Sequence, residues 1–323
     1  MFTLKFQFPF TKHFPVLLII LILLLATSCR IGERSQLETP VSSTPEILSP
    51  GDHQRSISFD GLERTYNFHM PIEYDPSQKI PIVLVFHGFG LDAEEMMRIT
   101  GFNDMADEEG FVVVYPNGTG EKKSWNGGEC CGEAAVKNIN DVGFVGALIT
   151  DLDSIINADL DRIYATGFSN GAIFAYRLAC ELANQIAAIG PVAATQALQD
   201  VQSCTPQRAI PIIHFHGTND KLNPYNGGTI RSGVEFISVK DAQNFWVEIN
   251  NCSTPPDQIE SGNISLDLYA NCSQGSSLEF YSIIDGEHAW PGGEAVTGEI
   301  GQPNMEISAT ELMWEFFRFH PLR

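Results

Sequence analysis

The feature that most constrains the fold is a serine between two glycines, at the junction of two apolar segments. Gly167-Phe168-Ser169-Asn170-Gly171 follows the apolar residues Ile163 to Ala165 and leads into a long apolar segment, Ala172 to Leu182. A GxSxG sequence between a strand and a helix is typical of a nucleophile elbow, a turn in which strand and helix approach closely because side chains are missing. This setting predicts Ser169 as a nucleophile at the carboxyl end of a sheet; a helix N-cap or an ordinary turn serine is the alternative.

Apolar runs and helix-like segments alternate before this turn. Ile80 to Phe86 and Phe111 to Tyr115 are continuous apolar runs, as expected for strands buried on both faces, and a helix-like segment from Ala93 to Glu109 separates them. Asp60-Gly61 is a favoured two-residue turn, so it predicts a hairpin at the antiparallel edge of the sheet, whose folded part starts near Ser56. The pattern predicts an α/β fold with a mostly parallel central sheet and helices on both faces.

The alternation continues beyond the elbow. The predicted strands are Ile186 to Ala194, Ile210 to His216 and Leu278 to Ile284, and the predicted helices are Val239 to Ile249 and a closing helix from Ser308 to Phe319. The stretch from Asn117 to Asn140 has no strong periodicity. Because it leaves the carboxyl end of a central strand, we interpret it as a loop that lines the site rather than as a disordered segment.

The amino terminus is organised differently from the rest of the chain. It carries Lys5 and Lys12 and no acidic residue before an apolar run from Val16 to Ala26, which is typical of a signal peptide. Ala26-Thr27-Ser28-Cys29 resembles a bacterial lipobox, so we predict lipidation of Cys29 and membrane attachment through an N-terminal lipid. Plain secretion after cleavage nearby, or retention of the apolar stretch as a membrane anchor, is the alternative.

These features divide the 323 residues into three parts. Residues 1–28 are a predicted signal peptide of the lipoprotein type, residues 29–55 a Ser-, Pro- and Thr-rich flexible linker, and residues 56–323 a single catalytic domain. The predicted location is therefore extracellular or at the cell surface. A net charge of −21, with 19 Lys and Arg against 40 Asp and Glu, argues against nucleic acid as a partner.

Six cysteines remain after Cys29, and an even number in an exported chain suggests disulfides. Of the fifteen possible pairings, we predict Cys252 with Cys272 and Cys180 with Cys204, and either a strained vicinal bond between Cys130 and Cys131 or no bond there. Metal binding is the weaker alternative, because the sequence has no CxxC pair and no His-rich spacing beside them.

A serine nucleophile requires a base within hydrogen-bond reach and a third group that orients this base. In an α/β-hydrolase the chain order is serine, then acid, then histidine. His288 lies in a Gly-rich loop after a late strand, whereas His214 and His216 belong to a predicted buried strand and His320 follows the closing helix. We therefore predict His288 as the base.

Asp220 follows the strand that ends at His216, where its carboxylate is placed to hold His288. Asp285 and Glu287 are rivals for this role, and a simple turn residue is the alternative for each. We predict an oxyanion hole formed by the backbone N–H of Asn170 and by one from the loop after the strand ending at Phe86, at Phe89. This mechanism requires no cofactor and no metal.

Several motifs together resemble a known esterase group. The motifs are Val85-Phe86-His87-Gly88, Ser124-Trp125-Asn126, Cys130-Cys131-Gly132, Asn140-Asp141-Val142-Gly143-Phe144, Gly167-Phe168-Ser169-Asn170-Gly171, His216-Gly217-Thr218-Asn219-Asp220 and His288-Ala289-Trp290-Pro291-Gly292. As a set, over residues 56 to 320, they resemble the secreted α/β-hydrolase group of feruloyl esterases, in carbohydrate esterase family 1, and polyhydroxybutyrate depolymerases. The chain departs from that pattern at Phe89-Gly90, since depolymerase-like members often have cysteine after His-Gly.

The resemblance implies a triad of Ser169, Asp220 and His288, which agrees with the assignment from chain order. It also implies that Trp125 and Trp290 flank the substrate, and packing in the core is the alternative role for both. We therefore expect an exported serine esterase acting on feruloyl or acetyl esters of plant cell-wall polysaccharide. Depolymerisation of polyhydroxybutyrate is the alternative, and acyl transfer or a non-catalytic binding lipoprotein are further ones.

Overall fold

Ten of the twelve strands form one central sheet in a computed structural model that describes residues 48–296 and 301–322. The predicted signal peptide, Cys29 and most of the predicted linker lie outside the described residues. The strands are β1 (Gly51–Phe59), β2 (Leu62–Met70), β3 (Ile80–Phe86), β4 (Val112–Pro116), β5 (Ala158–Phe168), β6 (Ala188–Val192), β7 (Ile212–Gly217), β8 (Gly228–Thr229), β9 (Glu235–Phe236), β10 (Asp257–Ser261), β11 (Ile264–Tyr269) and β12 (Leu278–Ile283). The helices are α1 (Ala93–Thr100), α2 (Phe102–Glu109), α3 (Gly132–Val136), α4 (Asp141–Ile155), α5 (Asn170–Glu181), α6 (Leu198–Ser203), α7 (Val239–Ile249) and α8 (Ala309–Arg318).

The strand order of the large sheet is β1-β2-β4-β3-β5-β6-β7-β12-β11-β10. The six central strands from β4 to β12 pair in parallel, and the pairs at the two ends of the sheet are antiparallel. This arrangement confirms the predicted α/β-hydrolase architecture. The carboxyl ends of β3, β5, β7 and β12 therefore meet at the same edge, where loops of an open α/β sheet bind ligands.

Apolar side chains cover both faces of this sheet. On one face, residues of α4, α5 and α7 pack with Phe86 and Trp125. On the other, residues of α1, α2 and α8 pack with Phe168 and Trp290. Because the central strands are buried on both faces, they read as continuous apolar runs in the sequence.

The structure differs from the sequence predictions at several boundaries. Strand β1 begins at Gly51, so the last five residues of the predicted linker belong to the folded part. The predicted helix from Ala93 to Glu109 is two helices, because Gly101 adopts a left-handed conformation, with φ of 66°, between them. The β10–β11 hairpin and the two-residue strands β8 and β9 were not predicted.

Three disulfides join Cys130 to Cys131, Cys180 to Cys204 and Cys252 to Cys272, which confirms the predicted pairing and resolves the open alternative at the vicinal pair. Within residues 48–296 and 301–322, no helix is both long and apolar enough to cross a membrane.

Candidate active site

Ser169 lies on a sharp turn between β5 and α5. Its φ of 55° and ψ of −114° are strained for a residue with a side chain, as expected for a nucleophile elbow. The turn closes because its glycines have no side chains: a Cβ on Gly171 would lie 2.1 Å from the carbonyl oxygen of Phe86. The backbone N–H of Ser169 donates to Val192 at 2.9 Å, which fixes the turn against β6. The half-buried Ser169 side chain is thus held at the carboxyl edge of the sheet.

Asp220 and His288 are joined by a buried hydrogen bond. Nδ1 of His288 lies 2.7 Å from Oδ2 of Asp220, and the other oxygen, Oδ1, accepts from the backbone N–H groups of Leu222 and Asn223 at 2.8 and 2.9 Å. The ring of His288 packs against that of Phe168, with centroids 4.8 Å apart, so the imidazole lies beside the residue that precedes Ser169. The structure therefore brings the three predicted triad residues to the same edge.

The rival acids point elsewhere. The carboxylate of Glu287 accepts from the backbone N–H of Gln302 at 3.0 Å, and the exposed Asp285 lies in a turn where its backbone N–H donates to Thr218. Neither has a hydrogen bond to His288 among the described residues, whereas Asp220 does.

The Asp220 carboxylate stays ionised despite its burial. Burial by itself raises the pKa of a carboxyl group, but hydrogen bonds from His216 and His288 act in the opposite direction and together leave the pKa of Asp220 well below its usual range. An ionised acid at this position orients His288 and stabilises the imidazolium that forms when the base accepts a proton.

A chain of buried side chains runs from Asp220 back into the core. Nε2 of His216 lies 2.8 Å from the carbonyl oxygen of Asn223 and 3.4 Å from Oδ2 of Asp220. On the other side of the ring, Nδ1 of His216 lies 3.3 Å from Nε2 of His214. Nδ1 of His214 in turn lies 3.0 Å from the hydroxyl of Tyr176. The carbonyl oxygen only accepts, so His216 is protonated at Nε2 and accepts at Nδ1. His214 must then donate from Nε2 and accept from Tyr176.

This chain was missed by sequence reasoning, which took His214 and His216 as core residues. Both are buried in β7, but His216 also contacts Asp220. The signal available in the sequence was the spacing of four residues between His216 and Asp220. Burial lowers the pKa of His214 well below its ordinary value, so the His214 ring is neutral near neutral pH.

The loop after β3 presents the first predicted oxyanion donor. Nε2 of His87 accepts from the backbone N–H of Gly118 at 2.9 Å, so the proton is on Nδ1, which donates to the carbonyl oxygen of Gly88 at 2.8 Å. Burial lowers the pKa of His87 to about 4, which keeps the ring neutral. Leu91 also donates to this carbonyl, at 3.1 Å. The carbonyl of Gly88 and the N–H of Phe89 belong to one trans peptide, in which the two groups point in opposite directions. The N–H of Phe89 therefore points away from His87 and from the N–H of Leu91.

Asn170 contributes to the site through its backbone N–H and through its side chain. Within the described part of the chain, the backbone N–H groups of Asn170 and Phe89 donate to no protein acceptor, as expected for a pair of oxyanion donors. The side chain of Asn170 instead clamps Trp125: Oδ1 accepts from the Trp125 N–H at 2.7 Å, and Nδ2 donates to the Trp125 carbonyl at 3.0 Å.

The loop between β4 and α4 is ordered, as its interpretation as a site-lining segment requires. Besides the clamp on Trp125, the backbone N–H of Asn126 donates to Oδ2 of the buried Asp141 at 2.9 Å, and Oδ1 of Asp141 accepts from Arg64 at 2.7 Å. Gly132 packs so closely on Phe89 that a Cβ there would lie 2.6 Å from the phenyl ring. These contacts place the loop beside the elbow and the oxyanion loop.

The burial of Trp125 and Trp290 contradicts the prediction that these side chains contact the substrate. Trp125 is 0% exposed and stacks on Phe174 with ring centroids 5.2 Å apart. Trp290 is 2% exposed and donates from Nε1 to Thr310 at 3.1 Å. Both rings fill the hydrophobic core on opposite faces of the sheet, so neither presents a surface to a ligand.

Two cavities adjoin the ordered loop, one of about 420 Å³ between Arg64, Gly118 and Lys137, and one of about 260 Å³ between Gly128, Arg177 and Asp200. Burial raises the pKa of Asp200 to about 6. Neither cavity is lined by Ser169 or His288, so these two candidate triad residues lie outside both. Among the described residues, no group of three His, Cys, Asp or Glu side chains is arranged to hold a metal ion.

The fold and the site together define the class of protein, an α/β-hydrolase. Residues 65–213 match the model of the esterase PHB depolymerase family. The chain is 30% identical over 227 residues, 68% of its length, to feruloyl esterase B of Piromyces equi, and 30% identical over 210 residues, 64% of its length, to a bifunctional acetylxylan esterase/xylanase of Neocallimastix patriciarum. These alignments span 41% and 29% of the two relatives, so the chain covers less than half the length of either.

Solved structures agree on the fold. An acetyl xylan esterase from Aspergillus awamori superimposes with a TM-score of 0.58, at 12% sequence identity, over 83% of this chain and 99% of that one. By the family model and these relatives, the chain is similar to the esterase group that contains feruloyl esterases and polyhydroxybutyrate depolymerases.

Proposed function

We propose that the chain is a serine esterase that hydrolyses carboxylic esters through an acyl-enzyme formed on Ser169. The observation that carries this proposal is the 2.7 Å contact between Nδ1 of His288 and the ionised Asp220, beside a strained elbow serine. Because Asp220 occupies Nδ1, the ring nitrogen that remains for Ser169 is Nε2.

In this mechanism Nε2 of His288 takes the hydroxyl proton as Ser169 attacks the ester carbonyl. The N–H groups of Phe89 and Asn170 then stabilise the negative charge on the tetrahedral intermediate, and loss of such a donor typically costs about 10²- to 10³-fold in rate. His288 returns the proton to the leaving alcohol. Water, activated by the same histidine, releases the acid from Ser169.

Feruloyl or acetyl esters of plant cell-wall polysaccharide are the proposed substrates. Their support is the similarity to a feruloyl esterase and to an acetylxylan esterase/xylanase. A site that lies outside both cavities also suits an ester carried on a polymer. Polyhydroxybutyrate is the second candidate, favoured by the family model that matches residues 65–213.

Export is part of the proposal. The apolar segment from Val16 to Ala26 and the cysteine at 29 support an exported, lipid-anchored protein with its folded part from about residue 51. Three disulfides support an oxidising compartment.

A substrate panel tests the proposal. Wild-type protein and Ser169→Ala are compared on methyl ferulate, acetylated xylan and 3-hydroxybutyrate oligomers, with released acid as the readout. We expect the wild type to release ferulate or acetate and the alanine variant to be at least about 10⁴-fold slower. Preferential release of 3-hydroxybutyrate would favour the second candidate, whereas transfer of the acyl group to an added sugar acceptor instead of water would indicate an acyltransferase.

A further inference from the structure

The larger of the two cavities beside the ordered loop lies at the same edge of the sheet as Ser169. We call it the loop cavity; its volume is about 420 Å³, within the usual range of sites for small molecules. It is lined by the first residues of β2, by residues that follow β4, and by α3 with the residues after it. Because β2 runs antiparallel to β4 and Tyr66 pairs with Pro116, residues 62–65 extend beyond the carboxyl end of β4.

The loop cavity adjoins the predicted oxyanion loop. Two of its lining residues hold that loop: the N–H of Gly118 donates to His87 at 2.9 Å, and the carbonyl of Lys123 accepts from Gly90 at 2.9 Å. Strand β4 is two strands from β5, so at about 4.8 Å per strand the cavity begins about 10 Å from the strand that leads to Ser169. A methyl or ethyl alcohol at Ser169 is too short to reach the cavity, whereas an oligomeric alcohol spans this distance.

The lining of the loop cavity carries charges of both signs, from Arg64, Lys123, Lys137, Glu63 and Glu133. Each cation already has a carboxylate partner, which is Asp141 for Arg64, Asp92 for Lys123 and Glu133 for Lys137. The carboxylate of Glu63 is exposed at the rim. The cavity therefore offers an anion no excess of positive charge.

Hydrogen-bonding capacity is left unused in this lining. Nε of Arg64 and Oγ1 of Thr119 are enclosed and have no hydrogen-bond partner within residues 48–296 and 301–322. Aliphatic side chains, Leu62 and Ile139, line the same cavity, and Leu62 is 39% exposed. Donors, acceptors and aliphatic surface thus lie side by side.

We propose that the loop cavity binds an uncharged sugar unit of the polysaccharide that carries the ester. An anion would meet Glu63 and Glu133, and a polyester has acceptor oxygens along its chain but no donor for these carboxylates. A sugar hydroxyl both donates and accepts, and the C–H groups of a sugar ring suit the aliphatic residues. The inference rests on the proposed esterase function and makes polysaccharide, rather than polyhydroxybutyrate, its substrate class.

Esters with and without the sugar test this site in the full-length protein. Feruloylated xylotetraose and methyl ferulate share an acyl group, so the ratio of their kcat/KM values reports on the alcohol side alone; for acetate, acetylated xylotetraose and 4-nitrophenyl acetate take their place. In Glu63→Ala, and separately in Lys137→Ala, this ratio should fall about fivefold, as loss of one hydrogen bond predicts. Glu260→Ala and Lys240→Ala change exposed charges on β10 and α7 and should leave it unchanged.

Binding without turnover is the second measurement. Ser169→Ala should bind xylotetraose in a calorimetric titration, and adding Glu63→Ala should raise the Kd about fivefold. Unchanged ratios in both cavity variants, or tighter binding of a galacturonate tetramer than of xylotetraose, would overturn the sugar site and leave the esterase function standing. A folded wild type that hydrolyses no ester would refute the esterase function, whereas xylotetraose binding that Glu63→Ala weakens would still support the sugar site.

Discussion

The two sides of the candidate active site are held in place by different means. On the acid–base side, a chain of buried side chains runs from His288 through Asp220 and His216 into β7. On the other side, which we call the loop side, the loop between β4 and α4 is held through its backbone by buried side chains, above all by Asn170 on Trp125. The comparison teaches that the candidate acid and base are fixed by hydrogen bonds between side chains, whereas the loop beside them is fixed by hydrogen bonds to its backbone. Catalysis and the stability of the loop should therefore respond to different substitutions.

The largest expected effect is on the acid–base side. Asp220→Asn keeps the size of the side chain but removes the charge that orients His288, so kcat should fall by about 10⁴-fold while the fold is retained. Asp285→Asn, which changes an exposed carboxylate in the loop after β12, serves as the control. An equal loss of kcat in the two variants would contradict the assignment of Asp220 as the residue that orients His288.

On the loop side, Asn170→Ala deletes both hydrogen bonds to the backbone of Trp125. The buried N–H of Trp125 then has no partner, and its carbonyl oxygen keeps only the long bond from the N–H of Cys131 at 3.4 Å. The free energy of unfolding should fall by about 3 kcal/mol, measured by urea denaturation. Gln258→Ala removes an exposed amide bonded to Asp267 and should cost much less. Were the two losses alike, the clamp would have no special role in holding the loop.

Acid should destabilise the oxyanion loop through His87. In the unfolded chain this histidine binds a proton below about pH 6.5, but burial lowers its pKa in the folded protein to about 4. The stability that neutral His87 contributes is therefore present above pH 6.5 and lost as the pH falls toward 4. Between pH 7 and 5 the wild type should lose about 2 kcal/mol more unfolding free energy than His87→Gln. Parallel pH dependence of the two proteins would contradict the buried, neutral state.

A smaller effect is expected at His216, a positioning residue that acts through Asp220. His216→Gln should lower kcat/KM about tenfold, because the carboxylate loses a donor 3.4 Å away. A carboxylate with one donor fewer holds the proton on its partner imidazole more tightly, so the acid limb of the pH–rate profile should move to higher pH. Tyr225→Phe, which removes a hydroxyl bonded to Ser282, is the control. A lower rate with an unmoved profile would mean a purely structural role.

The sequence was sufficient to predict that the three candidate triad residues follow strand ends. Ser169, Asp220 and His288 each come directly after a strand or in the loop that follows it, and chain order separates His288 from the other histidines. The contact between His216 and Asp220 could not be predicted in the same way, because it depends on how the turn after β7 folds back on its own strand.

Aromatic residues beside glycine-rich motifs misled the prediction for a related reason. Nothing in the local sequence says whether the ring of Trp125 faces the cleft or the core, and the stacking on Phe174 decides it. The two-residue strands β8 and β9 are too short to show any periodicity, so this hairpin was also beyond sequence reasoning.

The most direct test of the central claim is covalent labelling of the full-length protein with a fluorophosphonate, followed by mass spectrometry of its peptides. The proposed mechanism predicts a single adduct on the peptide that contains Ser169, absent from Ser169→Ala and strongly slowed in Asp220→Asn. A folded wild-type protein that remains unlabelled, or that is labelled at another serine, would contradict the claim that Ser169 is the activated nucleophile.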